Sequence, residues 1–200
     1  MLKVGLTGSI AVGKTFVCEL LRELGCAVID ADTVAREVVE PGTRGFGLVV
    51  DAFGESVVNA DGTLDRAKLG SIVFADEEKR LLLNSIVHPL VVESQDRWIG
   101  QREKEDPNGI VIVDAALMIE SGGYRRFDHL IVVWCESELQ LQRLMARDDL
   151  SRADAEKRIA SQMPQDEKKR HADFLIDTSN GFDDTRRQTE DVFRQLKAIQ

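Results

Sequence analysis

Near the amino end, residues 8–15 read "GSIAVGKT", between the apolar run "LKVGLT" and the helically spaced "FVCELLRELG". Gly8, Gly13, Lys14 and Thr15 match G-x-x-x-x-G-K-S/T, placed after a strand and before a helix, where its mechanism needs it. The glycines let the backbone curl until successive N–H groups point inward at phosphate oxygens, and the helix beyond adds its partial positive charge. On this reading Gly8, Ala11, Val12 and Gly13 form the cradle, Lys14 reaches the β and γ phosphates, the Thr15 hydroxyl joins a Mg²⁺ shell, and the Phe16 N–H meets the α phosphate. ATP or GTP is the ligand expected. Val12 is an unusual neighbour for Gly13, since a β-branched residue must take up the loop conformation there.

The rest of the 200-residue chain alternates short apolar runs with longer amphipathic ones, the pattern of a parallel sheet with helices on both faces. Strands are expected at "CAVIDAD", "IVIVDAA", "HLIVVWC" and "DFLID", and "DDTRRQTEDVFRQLKAI" closes the chain as an amphipathic helix, placed equally well on the core or on a second subunit. Residues 41–105 read instead as helical segments joined by turns, at "EPGTRG", "NADGT" and the His88–Pro89 pair. Ser137 with Gln140, and Ser151 with Asp154, resemble capping boxes opening two further helices. One domain, 1–200, is expected, with a core of 1–40 and 106–200, a helical insert at 41–105 and a lid at 143–171.

Thirty-five acidic against 26 basic side chains give a net charge of -9, a field that repels nucleic acid and anionic membrane. Any polyanionic ligand must be met by a local cluster of cations and N–H groups. Three cysteines in apolar segments suggest neither disulfides nor zinc, and with no leader and no long apolar run a soluble protein of the reducing cytosol is expected.

A guanine switch protein finds a D-x-x-G at Asp51–Gly54, but the base-reading Asn-Lys-x-Asp is missing, and "FGLVVDAF" fits a helix as well as a strand. A kinase needs an acid to orient the acceptor and cations over the transferring group. Asp30 and Asp32 close the second predicted strand, where ligands of open α/β sheets bind. An extended backbone would point both the same way, and a helix beginning there would separate them. Asp30 serves equally as a helix cap, and Asp32 is the residue expected to orient the hydroxyl proton. Asp114, at another strand end, either holds a water on Mg²⁺ or caps the next turn. Arg143 and Arg147 share one helix face and suit an anion between them, although Glu138, Asp148 or Asp149 would also serve.

Taken in order, "LTGSIAVGKT", "VIDADTVAREVVEPG", "HPL", "ALMIE", "QLQRLMARDD" and "ADFLIDTSN" resemble the dephospho-coenzyme A kinase family from residue 2 to about 180. What the resemblance implies is an α/β fold of P-loop NTPase type with a helical acceptor-binding insert and a helical lid. It implies ATP-dependent phosphorylation of the ribose 3'-hydroxyl of dephospho-CoA, with Mg²⁺. Asp32, Lys14 and Arg143 become the catalytic set, Arg147 joins the nucleotide side, and Thr7, Asp32, Arg36, His88 and Glu120 line the acceptor side. Two stretches depart from the family pattern. Ala116-Leu117-Met118 stands where Pro-Leu-Leu is usual, and Thr178 and Asn180 replace residues of I-D-N-S-G, a region expected near the adenine. Kinases acting on nucleoside monophosphates or shikimate, and a nucleotide-binding protein without transfer, are the alternatives that ADP release distinguishes.

Overall fold

The computed structural model describes all 200 residues. Strands β1 (Leu2–Thr7), β2 (Ala27–Asp30), β3 (Ile110–Asp114), β4 (His129–Trp134) and β5 (Phe174–Asp177) form one sheet in the order β2-β3-β1-β4-β5. The pairs of β1 with β3, β1 with β4 and β4 with β5 are all parallel; Leu2 stands opposite Ile110, and Val4 opposite His129. Strands covered on both faces must be apolar throughout. Val4, Leu6, Ile112, Ile131, Val133 and Ile176 accordingly lie in one buried cluster.

Nine helices complete the chain: α1 (Lys14–Glu23), α2 (Ala31–Glu37), α3 (Arg44–Phe53), α4 (Arg66–Ala75), α5 (Glu77–Glu105), α6 (Ser137–Asp148), α7 (Arg152–Ala160), α8 (Gln165–Lys169) and α9 (Phe182–Ile199). Two compact units result, one of Met1–Ile29 with Arg102–Gln200 and one of Asp30–Gln101. In the first, Val17, Cys18 and Leu21 of α1 and Val192 and Leu196 of α9 join the sheet's core, so the terminal helix is packed on its own chain. In the second, Val39, Val49, Val57, Leu64 and Leu69 form a separate cluster with Phe46, Phe53, Leu83 and Ile86. No helix is long and apolar enough to cross a membrane.

Asp51–Gly54 closes helix α3, within the stretch read as helical from the sequence, and is no loop after a strand. Two local expectations are corrected. The His88–Pro89 pair is not a turn but lies inside the 29-residue α5. Proline has no N–H for the Ser85 carbonyl and costs a helix interior about 3 kcal/mol. The helix continues because its faces are used on both sides of the proline, with Leu83, Ile86 and Val87 packed on the second unit's cluster and Gln95 and Ile99 buried farther on. Ser137 is already helical, Glu136 takes the cap position without a side-chain bond, and no capping box forms with Gln140. The second box does form: Ser151 caps α7 through the Asp154 N–H and donates its hydroxyl to the Asp154 carboxylate at 2.6 Å.

All three cysteines are buried and unpaired. Burial pushes each thiol up, Cys26 to about 12 from an ordinary 9.0. A raised value keeps the neutral form, whose stabilisation is complete below pH 9 and is lost as pH climbs through the folded-state value. Iodoacetamide at pH 9 is therefore expected to label none of the three thiols in the native protein and all of them after denaturation, as read by intact mass.

Candidate active site

The loop between β1 and α1 enters αL geometry at Ala11 (φ 61°) and Gly13 (φ 90°). Val12 lies between them without a positive φ, and its side chain is fully buried in the sheet core. That explains a β-branched residue here: the strained angles fall on its small neighbours, and its side chain anchors the loop from below. Gly8 is required for a different reason, since a Cβ there would lie 2.3 Å from the Val133 carbonyl oxygen.

At the start of α1, the Lys14 ammonium donates to Asp114 Oδ1 at 2.9 Å, and the other carboxylate oxygen accepts from the Cys18 thiol at 3.5 Å. Burial, then the Asp114 charge, holds Cys18 as a thiol. Asp114 therefore fixes the lysine at the mouth of the loop and does not cap a turn. Thr15, one residue on, is exposed. One hydroxyl and one carboxylate suit Mg²⁺, which usually takes one or two protein ligands and completes its shell with phosphate oxygens and water; no cluster of three or more His, Cys, Asp or Glu residues exists to hold a metal unaided.

On the other side of the loop, Arg143 of α6 donates to the Thr178 hydroxyl at 2.8 Å and to the Thr178 carbonyl at 2.9 Å. The same hydroxyl, buried, donates to the Val12 carbonyl at 2.7 Å. Thr178 thus couples helix α6 to the loop between β1 and α1, a role that its departure from the family pattern did not suggest. Gly13, Phe16, Arg143, Thr178 and Phe182 line a cavity of about 170 Å³, and Phe182 meets Phe16 edge to face at 4.9 Å. Asn180 is exposed in the adjoining turn. Arg147 does not share an anion with Arg143: it binds Asp148 at 2.8 Å, where its hydrogen bonds hold that carboxyl below the usual range, and Arg158 binds the same carboxylate.

Two residues expected on the acceptor side have defined partners within the first unit. The buried Thr7 hydroxyl donates to the Ala115 carbonyl at 2.7 Å, tying β1 to the segment after β3. Glu120 accepts the ammonium of Lys168 at 2.8 Å and the Met163 N–H at 3.2 Å. Lys168 is 0% exposed and also donates to the Ala116 carbonyl at 2.7 Å. In the second unit, Asp30 caps α2 by accepting the Asp32 N–H at 2.8 Å. A helix beginning at Ala31 separates the two acids, so the shared extended direction is not realised. Asp32 and Arg36 lie one turn apart on α2, exposed, and His88 is exposed on α5.

Sequence reasoning overlooked Lys168 and read Gln140 as half of a capping box, not as a buried link to Ile10. Lys168 stands in a basic run with Lys169 and Arg170, where nothing marks one ammonium for burial. Gln140 carried a signal, because it precedes Leu141 and lies one turn before Leu144 on the apolar face of α6, where a glutamine must have a partner.

A five-stranded sheet of this order, with an anion-binding loop leading from its central strand into a helix and a lysine at that helix's start, defines a P-loop kinase fold. The same fold is seen in shikimate kinase from Acinetobacter baumannii, at 16% identity over 100% of this chain and 95% of that one (TM-score 0.58). The family model for dephospho-CoA kinase matches residues 2–184, and the chain belongs to that family. It is 46% identical to the dephospho-CoA kinase of Listeria monocytogenes serotype 4b over 92% of each chain. It superimposes on dephospho-CoA kinase from Campylobacter jejuni with a TM-score of 0.74, at 30% identity over 98% of this chain and 97% of that one. The chain is an enzyme, a phosphotransferase of coenzyme A biosynthesis.

Removing the Thr178 hydroxyl leaves the Val12 carbonyl unpaired and Arg143 with one partner fewer. Thr178→Val is expected to raise the KM for ATP about 5–10-fold, the size of one or two hydrogen bonds, and Thr178→Ser to restore it, as checked by steady-state kinetics. Removing one partner of a buried ion pair costs about 3–5 kcal/mol, whereas replacing the charge by an apolar group of similar volume costs far less. Glu120→Ala should therefore lower the melting temperature much more than the double change Glu120→Leu with Lys168→Met, as measured by calorimetry.

Proposed function

We propose that this enzyme transfers the γ-phosphoryl group of ATP, bound with Mg²⁺, to the ribose 3'-hydroxyl of dephospho-CoA in the cytoplasm. The observation that carries this reading is the Lys14 ammonium, held by Asp114 at the end of the glycine loop where it opens into α1, the place at which a helix start binds phosphate. In the resting protein the ammonium is neutralised by a carboxylate, and a triphosphate competes for the same cation. Thr15 and Asp114 are the residues that would hold Mg²⁺, which when bound offsets charge on the β and γ oxygens.

The acceptor oxygen forms a bond to the γ phosphorus as the bond from that phosphorus to the β–γ bridging oxygen breaks. ADP leaves, coenzyme A forms, and the hydroxyl proton passes to the Asp32 carboxylate. Lys14 and Arg143 face the charge that builds on the phosphoryl oxygens. Arg143 begins the reaction hydrogen-bonded to Thr178, which keeps its guanidinium beside the loop. Phe16 and Phe182 offer aromatic surface to the base in the cavity beside Gly13. Arg36, His88 and Glu120 remain the proposed acceptor-side set. Glu120 acts there through the segment that it ties to Lys168, and Thr7 through the main chain after β3.

Coupled ADP release tests the reading. Dephospho-CoA is expected to elicit turnover where shikimate and nucleoside monophosphates do not, and release with those acceptors alone would replace the substrate assignment. Asp32→Asn should lower kcat by about 10²–10⁴-fold, the range for a lost general base, with the KM for ATP little changed. Near-normal turnover in that variant would remove Asp32 from the mechanism.

A further inference from the structure

Ile10, at the outer bend of the phosphate loop, has both of its main-chain polar groups taken by side chains from outside the loop. Its N–H donates to Gln162 Oε1 at 2.8 Å, and its carbonyl accepts from Gln140 Nε2 at 2.8 Å. Gln140 Oε1 accepts from Gln165 Nε2 at 2.8 Å, and Gln165 Oε1 accepts the Cys135 N–H at 3.1 Å. The direction of each amide in this chain is forced. The Cys135 N–H can only donate, so Gln165 presents its oxygen there and its nitrogen to Gln140, which must then turn its own nitrogen to the Ile10 carbonyl. Gln140 is 1% exposed, so its amide is fixed by burial as well as by partners.

We propose that Gln162, backed by the Gln140–Gln165 pair, is a positioning residue that holds the phosphate loop in its binding shape before nucleotide arrives; this rests on the reading of the loop as the ATP site. Amides that converge on an anion repel one another when no anion is present, and a loop free to relax would have to be reordered by each incoming ATP. The three glutamines reduce that cost by fixing the outer bend from both sides. With its N–H bound to Gln162, Ile10 supplies no donor to phosphate, and the cradle begins at Ala11.

Gln162→Met keeps the side chain's length and removes the acceptor. Binding of ATP with Mg²⁺ by calorimetry, steady-state kinetics, the melting temperature and exchange of the Ile10 amide proton by NMR are measured for this variant and the native enzyme. The Ile10 amide is expected to exchange faster, and the Kd and KM for ATP to rise about fivefold, the size of one hydrogen bond. The KM for dephospho-CoA and kcat should stay within about twofold. Gln140→Met should act in the same direction, and the double variant should lose less than the product of the two single effects, because both residues hold one loop residue. Gln142→Met, an exposed glutamine of the same helix that bonds only Glu138, is the control that changes nothing. If Gln162→Met does not fold, Gln162→Asn, whose shorter amide cannot reach Ile10, is judged by the same limits. A folded variant with a lowered melting temperature and unchanged ATP affinity overturns the proposal, leaving the glutamines a purely stabilising role. Absence of ATP binding by the native enzyme would instead overturn the assignment of the loop.

Discussion

A phosphate loop has little with which to hold itself, because its amides are kept for a ligand and its curvature prevents ordinary ladder bonds. Everything chemical in this enzyme depends on an external frame for that loop. Val12 supplies the frame from below by burying its side chain in the sheet core. Thr178 supplies it from the β5–α9 turn by donating to the Val12 carbonyl, and Gln140 of α6 and Gln162 of the α7–α8 turn supply it through Ile10. Gln140 and Arg143 are three residues apart on α6, so one face of a single helix reaches the loop at two points, directly at Ile10 and through Thr178 at Val12.

The buried charge nearby follows the same logic. Lys168 is removed from water on a five-residue helix, and Glu120 together with the Ala116 carbonyl compensates it. Thr7 binds the neighbouring Ala115 carbonyl, so the segment that follows Asp114 is held from β1 and from α8. Asp114 in turn holds Lys14. Polar contacts between buried groups are costly to break and poor at accommodating alternatives, and so they define geometry more sharply than apolar packing does.

Much of the fold was legible in the residues. Each predicted strand is present, since buried parallel strands need uninterrupted apolar runs, and the helices after Gly13 and Ser151 begin where their signals stand. The failures share one cause, the strength of tertiary context over local preference. Pro89 should break a helix and does not, because α5 is packed on both sides of it. Gln140 resembled half of a capping box, and it is instead a buried hydrogen-bonding link, because the Ile10 carbonyl lies across from it.

By itself the sequence determined the chemistry available: a lysine and a threonine after a glycine turn, acids at strand ends, arginines on a later helix, and the order in which they are met along the chain. The order of strands in space, the tie between Thr178 and Val12, the burial of Lys168 and the grip on Ile10 were decided only by the tertiary structure. Each joins residues 25 to 166 positions apart. No local periodicity encodes such pairings, because they depend on which faces meet once the core has formed.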